Sequence, residues 1–256
     1  MRERSILIAM LLLPALPVCA AEVTGSGRVV EQTRTVADFS SIEVASGIQV
    51  RVENGPKSGL TLRGEDNILP HVRTDVSGST LQIGFERGLS VHTQVGVVVS
   101  MRAPRLDGIG ASGGSEVQAG TQSGESLELR ASGGAHIRLS AAVKPRKLQL
   151  QASGGSEIAA ESIDAGTVTA RGAGGAVLRL AGRAQQLQLE FLGGTVVRAS
   201  GLTVQALTVD GSGGGVAKLR VTGSVRGALS GGATLHVGPG ANVEVSTSGG
   251  AEVVKN

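Results

Sequence analysis

Eight Gly-Gly pairs begin at Gly113, Gly133, Gly154, Gly174, Gly193, Gly213, Gly231 and Gly249, separated by 20, 21, 20, 19, 20, 18 and 18 residues. Self-similarity at this period marks a solenoid, in which each coil buries its apolar face only by stacking on its neighbours. Around the glycines the pattern is that of half-buried strands. Leu127, Leu148, Val168, Leu187, Leu207, Val225 and Val243 stand six residues before the first glycine, and Leu129, Leu150, Ala170, Leu189, Val209 and Val245 stand four before it. Between these rows run Glu128, Gln149, Thr169, Gln188, Thr208, Arg226 and Glu244, so apolar and polar positions alternate with period two. After the glycines Val117, Ile137, Ile158, Leu178, Val197, Leu235 and Val253 make a third apolar row.

The pair therefore reads as a corner between two short strands, where glycine supplies positive φ or lets backbones approach closely. Ser112, Ser132, Ser153, Ser212, Ser230 and Ser248 precede it, and their hydroxyls are expected to bond along the corner. About eight variable residues then close each coil. These features predict an all-β, right-handed parallel β-helix with coils of about 18–21 residues, its handedness inferred from the general preference of parallel crossovers. At a strand spacing of about 4.8 Å, some eleven coils would reach about 50 Å. Ile42–Val50 repeats the pattern with one glycine fewer, and the 66 residues from Gly47 to Gly113 read as three looser coils, with strands near 60–63, 81–85 and 95–101. The chain divides into a signal (1–20), an irregular first half (22–104) and a regular half (105–256).

Arg2 and Arg4, the apolar run from Ile6 to Leu13 and the small-residue site Val18-Cys19-Ala20 form an export signal. Cys19 is the only cysteine, so a chain cut after Ala20 or Ala21 has no disulfide and no thiolate chemistry. Leu16 stands where a lipid-attachment sequence has it, but Pro17 and Val18 do not fit, and lipid anchoring is not expected. The mature chain keeps 22 basic and 20 acidic residues, a balance of +2. It has no Trp or Tyr, and Phe39, Phe85 and Phe191 are its aromatics. Without a basic stripe or stacking residues, nucleic acid is not an expected partner, and Lys144-Pro145-Arg146-Lys147 reads as a solvated turn. No second apolar segment approaches the ~20 residues of a membrane span.

At this point the chain resembles a known family. Phe39-Ser40-Ser41-Ile42-Glu43-Val44, Gly47-Ile48-Gln49-Val50, Leu81-Gln82-Ile83, Pro104-Arg105-Leu106 and Ala111-Ser112-Gly113-Gly114, in that order and spacing, are similar to the putative auto-transporter adhesin, head GIN domain family, over about residues 28–256. The resemblance implies an exported β-helical module with an adhesin-like role, and it brings no catalytic residues.

Two columns are candidate sites. Two residues past each glycine pair stand Glu116, His136 and Glu157, which stacking would bring about 5 Å apart. A His between carboxylates suits a divalent metal or acid–base work, and equally a surface ladder that avoids stacking like charges. The same column continues as Val177, Val196 and Val216, read either as an exposed docking stripe or as core. Three residues before the glycine, Arg130, Gln151, Arg171, Glu190 and Asp210 form an interaction face with an expected Arg171–Glu190 pair.

Enzymatic β-helices need clustered carboxylates or a Ca²⁺ site, and Asp38, Asp66, Asp75, Asp107, Asp164 and Asp210 share no column. No cofactor motif is present: the glycine pairs lack the Gly-x-Asp continuation of Ca²⁺ repeats and the Gly-Lys-Ser/Thr ending of phosphate loops. The expectation is a non-catalytic surface or envelope interaction module whose partner is a surface glycan or an envelope protein. A carbohydrate-active enzyme and an envelope scaffold or sensor are the alternatives.

Overall fold

A computed structural model describes residues 21–57 and 59–255; residues 1–20, expected to be an export signal and including Cys19, lie outside the described residues. The chain is an all-β parallel solenoid whose regular stack makes about seven turns. The apolar rows predicted from alternation become vertical columns. Leu127, Leu148, Val168, Leu187, Leu207, Val225 and Val243 are partners in successive rungs, and all but Val243 are buried. Val117, Ile137, Ile158, Leu178 and Val197 form the facing column. The variable residues supply a third strand, and Val143, Ile163 and Leu202 close the coil from that side. In the middle of the stack the three sides are one bent strand, as in Glu157–Ala173, with a register shift between Ala160 and Ile163.

The corners need both properties of glycine. Gly113 and Gly114 have φ of 58° and 75°, the pattern of a type I′ turn. A Cβ on Gly213 would lie 2.9 Å from the Cα and N of Gly193 in the corner below, because each corner's backbone sits on the last. The hydrogen bonds at the corners come from a different place than expected. Residues on the inner side of the turn make them: Ser115 donates to Val44 O at 3.0 Å, Ser156 to Ala131 O at 2.9 Å and Thr195 to Leu192 O at 2.8 Å. Ser112 Oγ only reaches the Val44 carbonyl at 3.5 Å, and Ser132, Ser153 and Ser248 are exposed. Among the described residues no buried side-chain polar atom lacks a hydrogen-bond partner.

Phe191 shows how an irregular side chain enters a regular core. It is fully buried, and its partners in the rungs below and above are Gly172 and Gly211. Gly215 adds further room, since a Cβ there would meet the Phe191 ring at 2.8 Å.

The first half departs from the expectation of three looser coils. Ser41–Val44 pairs directly with Gly108–Ala111, and Gln49–Asn54 with Glu116–Ala119, so the Gly47 and Gly113 corners are adjacent. The residues between them leave the stack and return beneath it. Thr80–Phe85 and Val98–Ala103 pair with the free sides of Ser41–Val44 and Gln49–Asn54. Val29–Arg34, Leu60–Glu65 and Val72–Ser77 then pair antiparallel and close that end. The eleven-coil estimate fails for this reason: part of the interval is an end cap with no solenoid period. Ser46, at φ 65°, holds the place of the first glycine in its corner.

Candidate functional site

The five residues expected to form an interaction face lie in one column. Arg130, Gln151, Arg171, Glu190 and Asp210 are partners in consecutive rungs on the outer side of one sheet. Arg171 Nε lies 3.1 Å from a Glu190 carboxylate oxygen, and Arg130 pairs within its own strand with Glu128 at 2.5 Å. Shallow depressions of about 370 and 150 Å³ lie along this column, the first between Arg130, Gln151, Arg171 and Leu192. The column continues downward to Glu43, which alternation alone did not select. Gly110 stands between Glu43 and Arg130, and the Glu43 carboxylate folds over the space its missing side chain leaves. Burial pushes the Glu43 carboxyl above its ordinary value, Arg130 pulls it down and Glu128 pushes it up. A glycine at an outward position, Gly110 in Gly-Ile-Gly-Ala, was the available signal.

Glu116, His136 and Glu157 are also aligned rung by rung. Their side chains are engaged separately. Glu116 accepts from Gln118 at 2.8 Å, while Glu157 accepts two bonds from Arg179 in the next rung, at 2.5 and 3.4 Å. Among the described residues no three His, Asp, Glu or Cys side chains are grouped to hold a metal. Above Glu157, Val177, Val196 and Val216 face outward and are half-buried, which makes them a surface stripe rather than core.

Lys144-Pro145-Arg146-Lys147 is strand, not turn: it lies within Val143–Ser153, with Pro145 buried and the three cations exposed. It borders a concavity of about 950 Å³ with Glu125, Asp164 and Arg183. Two of the cations there are matched: Arg183 holds Asp164 through two bonds of 2.8 Å, and Arg146 lies 3.6 Å from Glu125. The Arg183 hydrogen bond holds the Asp164 carboxyl below its ordinary value against the opposing effect of burial.

One buried carboxylate escaped sequence reasoning. Glu65, in the end cap, is fully enclosed and accepts from Thr93 Oγ1, the Gly27 amide at 2.9 Å and the Gln94 amide at 3.2 Å. The Thr93 bond is the main reason its carboxyl lies below the ordinary value; burial opposes it, and the amides assist. These bonds tie three segments of the cap together.

No helix among the described residues is long and apolar enough to cross a membrane. The fold matches solved structures of low sequence identity. A putative lipid binding protein from Parabacteroides distasonis ATCC 8503 is 17% identical with a TM-score of 0.84, over 92% of this chain and 99% of that one. A putative adhesin from Parabacteroides merdae ATCC 43184 is 22% identical with a TM-score of 0.84, over 93% and 100%. A putative adhesin from Bacteroides fragilis NCTC 9343 is 16% identical with a TM-score of 0.68, over 91% and 100%. No curated protein matches the chain. The sequence pattern described as putative auto-transporter adhesin, head GIN domain matches residues 38–241, and the chain belongs to that family.

Proposed function

We propose that this chain is an exported, non-catalytic interaction module that engages a surface glycan or an envelope protein along the flat outer face of its solenoid. The observation that carries the reading is the column from Arg130 to Asp210. It sets charged and amide groups at one-rung intervals on a rigid sheet, beside depressions too shallow to enclose a substrate. Ligand-binding faces of solenoids have this extended form. A catalytic reading would want convergent carboxylates of opposed pKa in a deep cleft. Here Glu65, Asp66 and Asp164 are each held low by bonds to their own neighbours. Fold neighbours named as putative adhesins and the family to which the chain belongs support the same direction.

The test is a glycan and polysaccharide panel read for binding and for released fragments in the same wells, with envelope extracts as a protein arm. Binding without release, weakened by Arg171→Ala and Glu190→Ala together, is the expected result. Release of sugar fragments would overturn the non-catalytic reading.

A further inference from the structure

The surface stripe of valines has a second column beside it. Arg179, Arg198 and Lys218 follow one another in adjacent rungs, two residues after Val177, Val196 and Val216. Arg179 is satisfied: Glu157 accepts its bonds, and Glu161 adds further attraction. Arg198 and Lys218 are direct cross-strand partners of the same sign, and neither has a carboxylate partner among the described residues. Like charges directly opposite one another destabilise a sheet. Elsewhere in the stack neighbouring rungs are matched, as in Arg171–Glu190, Arg183–Asp164 and Arg226–Glu244. The Glu190–Asp210 like pair has Arg171 to relieve it.

The unmatched cations border a concavity of about 790 Å³ to which Ala181, Val196 and Val216 present partly exposed apolar side chains. Adjacent rungs lie about 4.8 Å apart, so one tetrahedral or planar anion can accept from both heads. An alkyl chain attached to that anion would then lie on the valines. Glu161 stands on the rim, but its charge is directed at Arg179.

We propose that Arg198 and Lys218, with Val196 and Val216 beside them, form a site for a single amphiphilic anion: a phosphate or carboxylate head joined to an aliphatic chain. The proposal rests on the interaction-module reading but uses a different face from the Arg171 column, so glycan binding there survives its failure.

The experiment is calorimetric titration of the folded protein with dodecyl phosphate below its micelle concentration. The expected result is one saturable site. Affinity should fall at least about tenfold in Arg198→Gln/Lys218→Gln, and similarly in Val196→Ser/Val216→Ser. Arg226→Gln, in another column, should stay within about twofold. Inorganic phosphate and dodecanol should each bind at least about tenfold more weakly than dodecyl phosphate. No binding by the wild type, or undiminished binding by the charge variant, overturns the proposal. So does inorganic phosphate binding as tightly as the amphiphile, because the apolar side chains would then have no part. Binding to phosphatidylglycerol vesicles without binding to the free amphiphile also overturns it, in favour of a membrane surface. Thermal melts confirm folding, and the exposed charge pair gives the informative variant if the valine changes destabilise the sheet.

Discussion

The two halves of the chain use the same rung but differ in how rungs follow one another. From Gly108 onward each turn lies on the one before it, so neighbours in sequence are neighbours in space. In the first half Ser41–Val44 and Gln49–Asn54 are laid down first, and their lower partners, Thr80–Phe85 and Val98–Ala103, come later in the chain. Antiparallel strands then close the end. An open sheet edge invites pairing with other chains, and a cap removes that edge. A cap also cannot obey the solenoid period, because its strands reverse direction and pair antiparallel instead of continuing around the coil. The repeat therefore specifies the shape of a coil, and the order of coils at the capped end is set by non-repeating contacts.

If the regular half owes its stability to columns of complementary size, the largest loss should come from emptying one. Phe191 fills the space left by Gly211 and Gly215, so no neighbour can collapse into the hole. Phe191→Ala should cost about 3–5 kcal/mol, read as a large drop in Tm. A small drop would mean that the glycines are not there to make room. The next effect distinguishes the two glycines of one corner. Gly213 has φ 88° and sits 2.9 Å from backbone below, whereas Gly214 has no positive φ and open space around it. Gly213→Ala should cost about 2 kcal/mol or more, and Gly214→Ala should be close to neutral. Equal losses would show that the pair is not split into a required and a free position.

Much of this was legible before any coordinates. Period-two alternation identified the buried columns because an exposed face and a buried face impose opposite demands on successive residues. The Arg130–Asp210 column followed from the same count. The cap was not legible: Val29–Arg34 and Leu60–Glu65 carry no corner glycines at a fixed interval, and their partners are set by tertiary contact. Nor was Glu65, whose burial depends on Thr93 and Gly27 arriving from distant segments. The Lys144–Lys147 run was misread because charge and proline were taken as turn signals. On a solenoid's outer side charge is compatible with strand, and Pro145 occupies an inward position.

Acid should separate the halves. The Glu65 carboxyl lies below its ordinary value of 4.5 in the folded protein. Its contribution is therefore complete above that value and is lost as pH falls from there through the lowered folded value. Glu65→Gln should flatten the dependence of stability on pH below about 4.5, the ordinary glutamate value. Thr93→Val, which removes the principal cause of the lowering, should do so in part. Hydrogen exchange below about pH 4.5, the ordinary glutamate value, should open Val29–Arg34 before the columns around Leu187. An unchanged pH slope in Glu65→Gln would remove the carboxylate from its structural role.

The smallest effect lies where the two halves meet. Among the described residues Ser46 is the one non-glycine with positive φ, at 65°, and Gly47 follows at 72°. Gly113 and Gly114 adopt nearly the same pair of angles one rung above. The corner is therefore the same turn, made with a residue that pays a steric cost of about 1–2 kcal/mol in the left-handed region. Glycine would relieve that cost while losing about 0.5–1 kcal/mol to the greater freedom of the unfolded chain. Ser46→Gly should then stabilise by about 0–1.5 kcal/mol, a rise of a few degrees at most in Tm. The Ser46 side chain is exposed, so little packing is surrendered. A fall in Tm would mean that the backbone strain is offset by something the serine does in this corner. The first rung would then differ from those above it in more than its missing glycine.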